Sequence, residues 1–263
     1  IRRYHIKPFK LLTYTCIPLS VGMFPHIFMH WLTAKSAGTF RYPIIFYPIC
    51  IAIVWVPSVL LGILGVLDFP DLQGPAANSV LVQMVAKHAP GFLGGLLGAG
   101  VFAAIMSSLD SQSLSIGTMF TQDIVRHYRF HNKMSEQQQV LCGRLFVTPI
   151  FAFTFWLSLV THRSIFILAV WSFSGYAALF PVVLAALFWK RSTKWGAVAS
   201  IVSVCVLWVY FFRLGWENPE YTVGGLGIMP LAVMLGVSSL AMVIGSLLSK
   251  PPEQAVINKF FNT

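Results

Sequence analysis

The sequence predicts an all-α polytopic membrane protein with about seven transmembrane helices, and three observations carry that prediction. Apolar residues fill 57% of the 263 positions, with a mean hydropathy of +0.75. Charged residues fill only 10%, against roughly 25% in an ordinary soluble domain, too few to coat a globule of this size. The apolar residues also fall in repeated runs long enough to cross a hydrocarbon core about 30 Å thick, which takes roughly 20 helical residues. These runs are continuous rather than alternating, whereas a β-barrel would need a polar lumen residue at every second position.

Taken in order, the first candidate span covers residues 11–34 and is interrupted by Pro18, Gly22 and Pro25. Proline and glycine within a lipid-embedded helix are tolerated where neighbouring helices or a cavity satisfy the freed backbone groups. This segment is therefore the least clear of the candidate spans. His26 and His30, four apart on one face, are candidates for lining a polar pathway or for packing. The clearer spans are 43–67, 91–120, 141–160, 164–189, 196–212 and 227–248. Cys16, Cys50, Cys142 and Cys205 lie in or beside these runs without CxxC spacing, so buried packing roles are expected, with no metal centre or disulfide framework.

Charge placement predicts orientation. Loops rich in Lys and Arg stay cytoplasmic. Lys35 and Arg41; Arg126, Arg129, Lys133 and Arg144; Lys190, Arg191 and Lys194; and Lys250 and Lys259 fall on one side of the alternating spans. Only Lys87, Arg163 and Arg213 fall on the other. The richer side is assigned to the cytoplasm of a plasma membrane. Arg2, Arg3, Lys7 and Lys10 run against this count. The net charge of +10 is thus a topology signal, and nucleic acid is not an expected partner because no aromatic–basic module accompanies it. Trp189, Lys190, Arg191, Lys194 and Trp195 read as an interfacial anchor. The opening IRRYHIKPFK lacks an initiator Met and the layout of a signal peptide, so the chain is expected to start inside a larger protein.

The span at 91–120 carries the chemistry. Its first half is crowded with Gly91, Gly94, Gly95, Gly98 and Gly100, which permit close helix approach. Its second half reads SSLDSQSLS and places Ser107, Asp110 and Ser111 on one helical face, with Ser108 and Ala104 beside it. A carboxylate at membrane depth calls for a partner, a cavity or an ion. Oxygen groups without Cys or clustered His suit a hard cation such as Na⁺. A cation site or polar gate and a structural hydrogen-bond network are both compatible with this pattern.

The run AAIMSSLDSQSLSIGTMFTQDIV at 103–125 resembles the eighth core helix of the sodium:solute symporter family. FPHIFMHWLTAKS at 24–36 and ALFWKRSTKWGA at 186–197 are similar to the same family in the same order, and the likeness weakens after residue 200. The resemblance implies part of an inverted-repeat, broken-helix transporter core, with ions and solute bound near the bilayer midplane. It implies core helices at about 11–189 and peripheral helices at about 196–248, within one integral body spanning 1–263. Carried over by position, the Ala104 carbonyl and the Ser107 and Ser108 hydroxyls would bind Na⁺. Asp110 and Ser111 match positions of a second sodium in some members, where a proton or a salt bridge is an alternative for Asp110. The resemblance makes the first span the broken helix that faces the solute, with Pro18 and Pro25 at the break and Gly22 serving the break or packing, and Ile17, Ser20 and Val21 match solute-pocket positions. They are mostly apolar here, which favours a small organic acid or amino acid over a sugar. His26, Trp171 and Ser172 are further pathway candidates, with Ser174 and Tyr176 on the same span as the last two. The family's first core helix, which completes the sodium site, would belong to a missing N-terminal part.

Enzymatic chemistry is not expected, since no nucleophile–base pair, metal motif or nucleotide loop is present. The expected function is sodium-coupled symport of a small organic solute; the rival reading is a transporter-like solute sensor without net transport. A channel of similar composition would not account for three family-like segments in order.

Overall fold

The computed structural model describes residues 7–128, 135–161, 163–218, 221–225 and 227–261. Arg2, Arg3, Arg129 and Lys133, whose charges entered the topology count, lie outside them. The chain folds as α1 (Pro8–Tyr14), α2 (Pro25–Leu32), α3 (Arg41–Asp68), α4 (Val80–His88), α5 (Gly91–Met119), α6 (Glu136–Val160), α7 (Ile165–Ala177), α8 (Phe180–Phe188), α9 (Lys194–Glu217), α10 (Pro230–Leu248) and α11 (Gln254–Phe261). Six stretches are long and apolar enough to cross a membrane: Ala37–Asp68, Gly91–Val125, Glu136–Val160, Ile165–Phe188, Lys194–Glu217 and Pro230–Leu248. The broken pair Pro8–Met23 and Pro25–Leu32 is a seventh if it forms one span. The all-α polytopic class is therefore observed; among the described residues the only extended pairing is a bridge between Val223 and Ile228.

The predicted break in the first span is present. α1 ends at Tyr14, and Ile17–Met23 winds as a 3₁₀ helix with Pro18 in its first turn. Phe24 is extended, and Pro25 opens α2, a first-turn position where its missing N–H costs nothing.

The chain divides into two compact units. One comprises Ile1–Phe24 and Phe166–Thr263. Its centre is the antiparallel pair α9–α10, joined by small residues spaced four apart. Gly196 and Ser200 on α9 meet Ser238, Met242 and Ser246 on α10, and Ser200, Ser238 and Ser246 are wholly buried. The Ser200 and Ser238 hydroxyls lie 2.8 Å apart. Lipid supplies no hydrophobic drive between helices, so such close backbone approach and hydroxyl pairing are what bind them. Ala177, Ala178, Val204, Phe211, Leu231 and Met234 form the apolar core, and Cys16, Ile17 and Leu19 of the broken first segment pack on it. Positive φ angles at Gly224 and Gly225 (65° and 69°) turn the chain between α9 and α10. Lys7 there donates to the Gly225 carbonyl, and the Met229 amide donates to Thr13 Oγ1 at 3.1 Å.

The other unit is Pro25–Ile165. Within it α2 packs on α5, α3 and α5 both pack on α4, and α5 packs on α6. Gly117 and Gly143 permit the last contact: a Cβ on Gly143 would stand 3.3 Å from the Gly117 carbonyl oxygen. α6 begins at Glu136, five residues before the apolar run, because Ser135 and Gln138 form a reciprocal capping box. The cysteine expectation is corrected in part. Cys16 and Cys142 are half-buried, but Cys50 and Cys205 are exposed, on helix faces that no described residue covers.

α4 is an element that the apolar runs did not predict. Lys87 Nζ lies 2.9 Å from Asp68 Oδ1, and His88 Nε2 contacts Asp68 Oδ2, so the C-terminal ends of α3 and α4 are clasped together. Lys87 also sits 5.2 Å from the Phe69 ring centroid. Asp68→Asn is expected to accelerate amide hydrogen exchange across 80–88 while leaving exchange in α9 and α10 unchanged. Equal exchange in α4 of both proteins would show that Asp68 does not hold it.

Candidate ion and solute site

α5 carries the predicted ion ligands. Helix geometry stacks residues four apart, and the Ser108 hydroxyl donates to the Ala104 carbonyl at 3.3 Å. Two of the predicted ligand oxygens are thus neighbours on one exposed strip of α5, with Ser107 adjoining and also exposed. Ser111 is half-buried, and its carbonyl accepts from Ser115 Oγ at 2.9 Å.

Asp110 belongs to a different environment. It lines a cleft of about 840 Å³ between α5 and α6, together with Thr118, Gln122, Glu136, Gln139 and Arg144. The residues of α5 that face this cleft (Asp110, Ser113, Leu114, Gly117 and Thr118) recur at helical spacing on the side toward α6. Thr121 Oγ1 donates to the Gly117 carbonyl at 2.8 Å and lies 3.5 Å from the Gln139 carbonyl. Asp110 therefore shares a polar groove with one base and one further acid, whereas Ala104, Ser107 and Ser108 do not line it. In sequence Arg144 is a topology charge and Glu136 has no marked role; pairing of α5 with α6 is what brings both to Asp110's groove.

His26 is half-buried on α2, the helix that packs against α5. The structure thus places His26 and the Ala104–Ser111 strip on contacting helices of one unit.

The other solute-pathway candidates lie in the unit built on α9 and α10. Ser20 is 1% exposed within the 3₁₀ helix, Ile17 packs on the apolar core, and Val21 faces outward. Phe24, at the break, packs against Phe173 and Tyr176 with ring centroids 5.4 and 4.6 Å away. Trp171 is turned to α9: its ring stands edge-on to Phe212 at 5.6 Å, and its carbonyl accepts from Trp208 Nε1 at 3.0 Å. Gly215 leaves the room that this indole occupies. Ser172 is exposed beside it. Ser174 is buried, donating to the Val170 carbonyl at 2.7 Å. Ile17, Ser20 and Val21 are thus gathered on one short 3₁₀ helix, and Trp171 is anchored by packing against α9.

Comparison with known proteins matches residues 6–203 to the model of the sodium:solute symporter family. The chain is 28% identical over 241 residues to the osmoregulated proline transporter OpuE of Bacillus subtilis, covering 90% of this chain and 47% of that protein. It is 27% identical to a sodium/proline symporter of Haemophilus influenzae over 248 residues, again 90% of this chain and 47% of the relative. A sodium/proline symporter of Escherichia coli is 25% identical over 247 residues, covering 90% and 46%. The chain spans about half the length of these relatives.

Proposed function

As the chain belongs to the sodium:solute symporter family, we propose that it supplies part of a sodium-coupled symporter of the plasma membrane that carries a small organic solute of the amino-acid class. The observation that carries this reading is the pair of adjacent oxygens on α5, the Ala104 carbonyl and the Ser108 hydroxyl, 3.3 Å apart. The names of the relatives, proline transporters and sodium/proline symporters, support an amino acid such as proline. The mostly apolar Ile17–Val21 segment is in keeping with a solute that offers few hydroxyls.

In this proposal Na⁺ is cargo bound by Ala104, Ser107 and Ser108. Asp110 and Ser111 serve a second cation, and Ile17, Ser20, Val21, His26, Trp171 and Ser172 border the solute's route. Oxygen donors replace part of the ion's hydration shell. Removing one therefore costs the complex a charge–dipole contact, worth about 1.5–3 kcal/mol. Coupling follows when the ion binds one orientation of the transporter more tightly than the other, so that its gradient shifts the population the solute sees. Residues 1–263 act as one integral-membrane part, its core at about 11–189 and its periphery at 196–248, and residues outside this chain complete the ion site.

The test is uptake by the complete transporter polypeptide in liposomes. Radiolabelled proline is expected to accumulate when external Na⁺ exceeds internal Na⁺, and not when choline replaces Na⁺. Accumulation that is equal in both salts would refute sodium coupling. A panel of unlabelled amino acids and sugars as competitors reads the solute class, and displacement by sugars alone would refute that part.

A further inference from the structure

At the cytoplasmic end assigned to α9 and α10 the chain builds a groove of about 880 Å³ that the transport reading does not use. Its rim combines Lys194, Lys250 and Ser192 with Trp195, Leu248 and Val256. Lys194 and Lys250 are exposed, and among the described residues neither has an ion-pair or side-chain hydrogen-bond partner. Glu253 is the one acid on the rim. Trp195 and Leu248 expose 65% and 84% of their surface immediately beside these charges.

The groove is a shaped feature of the fold. Arg191 Nη2 donates to the Ser249 carbonyl at 3.1 Å and lies 3.5 Å from that of Leu247, which satisfies the carbonyl end of α10. Its Nη1 is buried without a hydrogen-bond partner, so the positive charge at this end is only partly met. The Thr193 and Ser249 hydroxyls lie 2.6 Å apart, and the Thr193 amide donates to Ser246 Oγ at 3.2 Å. The α8–α9 turn is thereby fastened to the end of α10, and Pro251 and Pro252 stiffen the exit. Lys190 adds a further positive charge nearby, 5.7 Å from the Phe261 ring centroid on α11.

From this juxtaposition we infer that the groove binds an anionic phospholipid, its phosphodiester held by Lys194 and Lys250 and its upper acyl chain lying on Trp195 and Leu248. Charge complementarity selects the sign of the headgroup. Two lysines, Lys194 and Lys250, share the rim with one acid, Glu253, while Lys190 and Arg191 precede Lys194 in the chain, and basic juxtamembrane clusters attract anionic leaflets. The apolar half of the rim selects a lipid over free phosphate, because a bare anion has no use for an exposed indole and leucine. The volume also fits a headgroup with its glycerol, lying within the roughly 300–1,000 Å³ of small-molecule sites. The positive end of α9 adds to the attraction without being needed for it. The assignment concerns lipid and is independent of which solute the transporter carries.

Native mass spectrometry of the complete transporter polypeptide tests this, after equilibration in nanodiscs of phosphatidylcholine with added phosphatidylglycerol. Wild-type protein is expected to retain phosphatidylglycerol in preference to phosphatidylcholine. The doubly substituted Lys194→Gln, Lys250→Gln protein should retain it about tenfold more weakly or worse, on the scale of attraction per lysine near an anionic surface. Glu253→Gln, which removes the opposing charge, should strengthen retention. Lys35→Gln, at another cytoplasmic loop, should leave it unchanged. Equal retention of the two lipids, unaltered retention in the double variant, or displacement of phosphatidylglycerol by inorganic phosphate would each overturn the inference. Because the readout is lipid retention, its failure is separable from a failure of sodium-coupled uptake.

Discussion

Replacing both Ser107 and Ser108 with alanine is expected to raise the Na⁺ concentration for half-maximal solute uptake by about 100-fold or more. The scale is that of removing two neutral oxygen ligands from a charged centre, about 1.5–3 kcal/mol each. Helix α5 itself should survive the change. Ser108 makes only a back-bond to Ala104 within its own helix, both serines are exposed among the described residues, and alanine is the best helix former. Solute affinity measured at saturating Na⁺ should move much less, because the serines are assigned to the ion. Sodium titrations of uptake by the complete transporter check this. An unshifted titration with normal uptake would remove these hydroxyls from the ion site. A uniform loss of uptake at every Na⁺ concentration, with Na⁺ affinity unchanged, would place them in the moving parts instead.

Gly196→Val is the second large effect. A Cβ at residue 196 would stand 2.7 Å from the Met242 carbonyl oxygen and 2.9 Å from the Ser246 nitrogen, and both are backbone atoms of α10. Neither can swing aside as a side chain would, so α9 and α10 must part. Overpacking of a tight interior costs about 1–3 kcal/mol, sometimes more, and here it also breaks the close approach that holds the pair in lipid. A clearly lowered melting temperature is expected for the purified transporter, with faster exchange in 194–200 and 238–246. Gly236→Val is the control. A Cβ there would meet nothing within 4 Å, so the melting temperature should stay close to that of the wild type. Equal stability of all three proteins would contradict the packing described for α9 and α10.

The membrane class was legible because span length and apolarity are properties of contiguous sequence, and each long helix coincides with a predicted run. The ends were less so. Glu136 and Gln137–Gln139 read as loop, since an apolar window sees only the lipid-embedded part of a helix, while Ser135 and Gln138 carry α6 outward through a capping box. α4 was missed for a related reason: nine residues ending in Lys87 and His88 are too short and too polar for a span, and Asp68, which clasps them, lies about twenty positions away. The break that the resemblance implies at Pro18 and Pro25 is present, and proline, which restricts its own backbone, marks it without tertiary information.

For the candidate site, the resemblance names Ala104 and Ser108, and their spacing of four sets them side by side on any helix. Long-range pairing decided the rest. Helical angle alone sets Asp110 with Ser107 and Ser111, yet it lines the cleft toward α6 with Glu136 and Arg144. Trp171 reads from the sequence as a pathway candidate on the fifth span, and its environment is set by Trp208, Phe212 and Gly215 on α9. The groove at Lys194 and Lys250 was invisible for the same reason, since those lysines meet only because α9 and α10 are antiparallel.

Direct equilibrium binding of radiolabelled Na⁺ to the complete, purified transporter is the measurement closest to the central claim that α5 holds the coupling ion. Saturable binding that unlabelled Na⁺ displaces and choline does not is predicted for the wild-type protein, with the high-affinity component lost in Ser108→Ala. Na⁺ bound by Ser108→Ala with the stoichiometry and affinity of the wild type would contradict it.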